Sequence, residues 1–153
     1  MRPFVPLALA ASLLAACASP PPFEPAAPPP APAPAAPAGF DTATLAGSVW
    51  NVVDVKGIGL KQADQVKLQF ASATEVAGYG GCNSFTGRAE LAGSAIKFGP
   101  LAATGRACAP QAMAEESMYF AALGRVRSAR EENGQLVLLD ESGSALVRLR
   151  RGQ

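Results

Sequence analysis

The residues best suited to chemistry lie between positions 78 and 116. Gly78-Tyr79-Gly80-Gly81 runs into Cys82-Asn83, a second thiol follows at Cys108, and a carboxylate stands at Glu116. Two thiols can pair, stay free, or act as nucleophile or metal ligand; a glycine run can cradle phosphate; a carboxylate can serve as general acid or base. Composition shortens this list. The chain of 153 residues has no histidine, which removes Ser-His-Asp triads, imidazole bases and histidine-ligated metals. Two sulfurs with neither histidine nor a further nearby cysteine do not complete a usual zinc site, so neither metal nor other cofactor is expected. With 13 basic and 12 acidic residues the net charge is +1, far from the basic footprint that nucleic-acid binding requires.

The glycine run also fails as a phosphate loop. A Walker loop needs Gly-Lys-Ser/Thr opening a helix. A dinucleotide loop needs glycine where Asn83 stands and a helix where Phe85 reads as strand. Gly80 and Gly81 are therefore expected to bend the backbone or let strands approach closely. The adjacent carboxylates Glu131-Glu132 and Asp140-Glu141 fall at turn edges, where successive side chains diverge, and read as solvated charges rather than a glycosidase pair.

The elements that must position these residues are mostly strands. Val49 to Lys56 is rich in β-branched residues, and Gln65 to Phe70 alternates so that Val66, Leu68 and Phe70 share a buried face. Short strands are expected at 75–79, 85–91 and 95–98. Asn133-Gly134 separates strands at 126–131 and 135–140, because both turn positions tolerate positive φ. With a last strand at 145–150 this predicts a three-stranded C-terminal meander. One helix interrupts the series: Pro110 suits its first position, Met113, Glu116, Phe120 and Leu123 form one stripe, and Gly124 is a natural stop. The fold class is α+β, mostly β: a curved antiparallel sheet or partly open barrel of about seven or eight short strands with one packed helix.

Glu116 thereby faces the core and must find a cation or backbone donors, since an unpaired buried charge is expensive. A structural clasp to an arginine or to amides of the glycine-rich segment is expected; a share in a binding site is the alternative. Cys82 and Cys108 are expected to pair in an oxidising compartment, a cross-link worth about 3.5 kcal/mol for the loop they would close. Free buried thiols and a reactive cysteine are the competing readings.

The compartment is read from the N-terminus. Arg2 precedes an apolar run from Phe4 to Ala16, too short to span a bilayer and suited to a signal peptide over residues 1–16. The run ends in Leu14-Ala15-Ala16-Cys17, which resembles the bacterial lipobox, where the cysteine receives a diacylglycerol and becomes the mature N-terminus. Ala18 in place of aspartate implies sorting to the outer membrane, with the domain in the periplasm. Loss of Arg2 leaves 12 basic against 12 acidic residues, so the mature chain is formally neutral. Pro20 to Pro37 holds ten prolines and one charge, Glu24. Such a stretch forms neither helix nor sheet. As polyproline II it is expected to be a spacer reaching roughly 60 Å, within a lipidated-cysteine and tether segment of residues 17–40, a proline-rich ligand for an envelope partner being the alternative. The folded domain is expected over residues 41–153.

Within that domain a set of motifs resembles the META (HslJ-like) family. They are Gly80-Gly81-Cys82-Asn83-Ser84-Phe85-Thr86-Gly87, Ile96 to Leu101, Thr104-Gly105-Arg106-Ala107-Cys108, and Met113 and Glu116 ahead of Phe120 and Leu123. Leu45 to Trp50 is similar to that family's opening strand, and Ala89 departs from it where members often carry an aromatic residue. The resemblance implies a helix packed on a curved β-sheet and an envelope protein associated with stress tolerance. It implies no enzymatic chemistry, so no catalytic residue is assigned. Gly80, Gly81, Asn83, Phe85, Thr104 and Glu116 are the structural or candidate binding positions. The functional expectation is a lipid-anchored, non-enzymatic binding module with an envelope protein or ligand as partner. A lysozyme-inhibitor-like lipoprotein and a small apolar-ligand carrier are the alternatives.

Overall fold

The computed structural model describes residues 40–152; the expectations placed on the leader, on Cys17 and on the proline-rich spacer up to residue 39 lie outside them. Among the described residues there are nine strands: β1 (Ser48–Val55), β2 (Ile58–Gly59), β3 (Lys67–Phe70), β4 (Glu75–Tyr79), β5 (Ser84–Ala92), β6 (Ala95–Ala103), β7 (Ser128–Glu132), β8 (Gln135–Leu139) and β9 (Ala145–Arg151). The helix α1 (Pro110–Arg125) falls between β6 and β7. The strands form one antiparallel sheet in the order β2-β1-β3-β4-β5-β6-β7-β8-β9, and β1 also pairs with β9, so the sheet closes on itself. The mostly-β class holds, with one α-helix among the described residues.

The count is nine rather than seven or eight. The extra strand is β2, which follows a tight turn with φ of 52° at Lys56 and 76° at Gly57. Such a turn needs two positive φ values, and lysine is not a residue that announces one. The expected Asn133-Gly134 turn is present, with φ of 52° and 74°.

β6 is longer than its apolar alternation predicted, continuing through Pro100 to Ala103. Gly87 pairs with Leu101 and Ala89 with Phe98, so β6 bulges at Gly99-Pro100, where a missing N–H costs no ladder bond. Beyond this hairpin the sheet is thinly joined: β6 and β7 share the single ladder pair Ala95 and Ser128, beside bonds from Ile96 N to Arg127 O (3.1 Å) and from Ala129 N to Ser94 O (2.9 Å). The helix α1 packs against β6, β9 and β1.

Alternation decides which side chains enter the core. Val66, Leu68 and Phe70 are buried together as predicted, joined by Trp50, Val52, Phe85, Phe98, Leu136, Leu138 and Leu149. On α1 the predicted stripe is rotated. Glu116 and Leu123 are buried as expected, but Tyr119 and Ala122 share their face, and Met113 is 46% exposed. Gln111, Met113 and Ala114 are all exposed, so the first turn of α1 has no apolar surface to cover it. The helix also runs one residue past Gly124 before Val126 N closes it on Leu123 O at 3.2 Å.

Tyr119 is fully buried in an aromatic cluster, 6.0 Å from the Phe85 ring and 5.9 Å from Phe120 between centroids. Its hydroxyl has no hydrogen-bond partner, and burial pushes the phenol far above its ordinary range. An unmatched buried hydroxyl carries its desolvation cost without return. Tyr119→Phe is therefore expected to raise stability by about 1 kcal/mol, read as an increased midpoint of urea unfolding at unchanged slope. A lowered midpoint would show that the hydroxyl is matched in solution.

Candidate functional site

Glu116 sits one turn before Tyr119 and Phe120 on α1, facing the loop between β4 and β5. Its Oε2 accepts hydrogen bonds from the amides of Asn83 (2.6 Å) and Cys82 (3.2 Å), and its Oε1 accepts from Asn83 Nδ2 (2.7 Å). The expected clasp is thus to amides of the glycine-rich segment and not to an arginine. It is the only buried charged side chain among the described residues, and three donors on two oxygens replace the water it has lost.

Asn83 carries the network onward. Its Oδ1 accepts from Thr104 Oγ1 (2.9 Å) and from the Arg106 amide (2.7 Å), so one side chain bridges the helix and the strap of residues 104–109 that follows β6. A disulfide between Cys82 and Cys108, with Cα atoms 5.9 Å apart, ties the same strap to the same loop. The chain folds this way locally because the loop has no bulky side chains at its bend. Gly81 has φ of +104°, a left-handed value that glycine adopts freely. A Cβ on Gly80 would lie 2.6 Å from Glu116 Oε2 and 2.8 Å from its Cγ, so only glycine lets the carboxylate seat. At Gly78, a Cβ would overlap the Lys67 carbonyl oxygen and the Phe85 ring. Phe85, 5.2 Å from Phe120 between ring centroids, forms the apolar floor.

The structure therefore brings Gly80, Gly81, Cys82, Asn83, Phe85, Thr104, Cys108 and Glu116 into one cluster. Sequence reasoning missed two features of it: that Asn83 is the bridge, and that the Arg106 amide is one of its donors. A polar asparagine directly after the glycine bend and ahead of a strand was the available signal for the first. Backbone donors leave no trace in residue type, so nothing announced the second. Chemically, both oxygens of Glu116 and the amide oxygen of Asn83 are engaged inside the protein, an arrangement that orders a surface strap.

The carboxylate pairs stay apart from this cluster. Asp140 organises the β8–β9 turn, its Oδ1 accepting from Ser142 Oγ (2.6 Å), Ser142 N (2.9 Å) and Ser144 N (3.0 Å). The Ser142 hydroxyl, and next the Ser144 amide, hold its carboxyl below the usual carboxylate range. A pKa lower in the folded state means that Asp140 favours folding above its unfolded pKa and loses that contribution as pH falls through the folded value. Comparison of Asp140→Asn with the parent chain by thermal unfolding from pH 7 down to pH 2 is expected to show a gap that closes below about pH 4. A gap that widens on acidification would contradict the assignment. Glu132, in the other pair, joins Arg130 at 3.0 Å and Arg148 at 3.8 Å.

No curated protein sequence matches the chain. Among solved structures it is similar to an NMR structure of a protein from Burkholderia xenovorans, at 22% identity and a TM-score of 0.58, covering 82% of this chain and 99% of that one. A second NMR structure matches at 20% identity and a TM-score of 0.57, covering 72% and 94%. A crystal structure of a DUF4847 family protein from Bacteroides vulgatus ATCC 8482 shares 12% identity at a TM-score of 0.55, covering 71% and 95%. These similarities concern the fold. The META domain model matches residues 43–153, the whole region that carries the glycine–cysteine loop, its carboxylate clasp and the closed sheet, and the chain belongs to the META domain family.

Proposed function

We propose that this protein is a lipid-anchored envelope protein whose META domain works as a non-enzymatic interaction module supporting envelope integrity under stress. The observation that carries the domain reading is the internal use of the one buried charge among the described residues: Glu116 and Asn83 spend their acceptors on Cys82, Asn83, Thr104 and Arg106, holding a strap in shape rather than facing a substrate. The interior supports surface recognition over an enclosed ligand, because Phe70, Phe85, Phe98, Tyr119 and the leucines of β8 and β9 fill it. The anchor reading rests on Leu14-Ala15-Ala16-Cys17 and the spacer reading on the ten prolines between Pro20 and Pro37. Outer-membrane sorting rests on Ala18.

The anchor is tested by metabolic labelling with an alkyne fatty acid. The full chain is expected to take up label and fractionate with the outer membrane, and Cys17→Ser to do neither. Label retained by Cys17→Ser would remove the anchor. The module reading is tested in a deletion strain challenged with heat, detergent and envelope-directed antibiotics. Loss of survival restored by the parent chain and not by unanchored Cys17→Ser is expected; a strain indistinguishable from the parent would overturn the stress role.

A further inference from the structure

The Cys82–Cys108 cross-link is shielded unequally on its two sides. Cys82 is wholly buried, and the carbonyl oxygen of Arg106 lies 3.4 Å from its Sγ. Cys108 is half-buried in a stretch where residues 102–107 and 109–111 are exposed. A nucleophile arriving from solvent therefore meets the bond at the Cys108 sulfur, because the strap itself covers the other one.

Thiol–disulfide exchange depends on which sulfur is attacked and on how well the other one leaves. Attack at Cys108 Sγ joins the incoming thiolate sulfur to Cys108 and breaks the bond to Cys82. The electron pair goes to Cys82 Sγ, which then takes a proton from water. When the reductant is a dithiol, its second thiolate attacks its own first sulfur and releases Cys108. The cross-link is then reduced by two electrons and the dithiol is oxidised to its disulfide.

While the strap is closed, the leaving side opposes this reaction. A thiolate is disfavoured away from water and beside a like charge, and buried Cys82 gives its amide to the Glu116 carboxylate at 3.2 Å. Asn83 holds the strap over that sulfur. Its Oδ1 accepts from Thr104 Oγ1 (2.9 Å) and from the amide of Arg106 (2.7 Å), the residue whose carbonyl covers Cys82 Sγ, and Thr104 N donates to Ser84 O at 3.0 Å. Loosening these bonds hydrates the leaving sulfur and clears the approach to the attacked one, so a single local opening controls both halves of the exchange.

We propose that Cys108 is the entry sulfur of a thiol-exchange site for a thiol or dithiol reductant, and that the strap held by Asn83 is its gate. The cross-link is thereby a redox-sensitive latch, a property that does not depend on the interaction-module reading. The test uses the full chain carrying Cys17→Ser, in which Cys82 and Cys108 are the remaining cysteines. Treatment with 2-mercaptoethanol in the presence of iodoacetamide, followed by peptide mass spectrometry, is expected to place the mercaptoethanol adduct on Cys108 and the carbamidomethyl group on Cys82. An adduct on Cys82 overturns the entry sulfur. Reduction by dithiothreitol is expected to be about tenfold or more faster in Asn83→Ala, which removes both side-chain bonds to the strap, and less accelerated in Thr104→Val, which removes one. Thr104 is exposed, so Thr104→Val carries the comparison if Asn83→Ala does not fold. Val147→Ala, buried in β9 between Val55 and Leu138, lowers global stability and is expected to leave the reduction rate unchanged. Equal rates in the parent and the strap variants overturn the gate. So does an acceleration by Val147→Ala as large as that by Asn83→Ala, because the bond would then open only through global unfolding.

Discussion

Glu116→Ala is expected to lower stability by about 3–5 kcal/mol, measured as the unfolding free energy from urea titration. The substitution removes a side chain that few contacts would make expensive by size alone. Its cost comes from the amides of Cys82 and Asn83 and the Asn83 side-chain amide, donors at 3.2, 2.6 and 2.7 Å that lose their acceptor away from water. Glu116→Gln is expected to cost less, because an amide retains one acceptor while its NH2 group confronts a donor. Two partners make the explanation exact. With Asn83→Ala already in place, Glu116→Ala has less left to lose, so the double variant falls short of the sum of the singles. Gly80→Ala, whose Cβ would lie 2.6 Å from Oε2, is expected to be tolerated better beside Glu116→Ala than alone. A Glu116→Ala protein as stable as the parent would remove the clasp from the account of this fold.

Opening the disulfide is expected to have an effect of similar size. Cys82 and Cys108 are separated by 26 positions, and the cross-link restricts the unfolded chain by about 3.5 kcal/mol. Reduction, or Cys82→Ala with Cys108→Ala, is expected to lower the unfolding free energy by about that amount. It also has a local signature. The strap of residues 104–109 would keep Asn83 as its remaining tether, so amide exchange at Thr104 to Ala109 should accelerate before the strands exchange. Because Asn83 is bound to Glu116, the two largest effects are coupled, and the strap is expected to be the first segment to open when both restraints are lost. Strap amides that exchange no faster than those of the strands would show that the disulfide supports the whole domain and not the strap.

Local pattern was enough for much of this molecule. Alternation around Val66, Leu68 and Phe70 located β3 and its buried face, Asn133-Gly134 located the C-terminal hairpin, and Pro110 located the start of α1. These succeed because side-chain period and turn stereochemistry act over a few residues. The position of Glu116 on a buried helical face was legible for the same reason, and with it the need for donors. The lipobox-like tetrapeptide and the proline-rich run carry the expectations of anchor and spacer on residue types alone, and lie outside the described residues.

Tertiary structure decided the rest. Whether Met113 or Tyr119 is buried depends on where α1 runs off the edge of what it packs against, and the apolar stripe alone holds no record of that limit. The extension of β6 through Pro100 depends on a bulge opposite Gly87 and Ala89, a matter of register between two strands. Closure of the sheet depends on β1 meeting β9, segments nearly a hundred residues apart, whose pairing is the outcome of every register between them. The choice of Asn83 as bridge, and of backbone amides rather than an arginine as partners for Glu116, follows from that closure. Donors without side-chain identity are assembled only when distant segments are brought within hydrogen-bond reach.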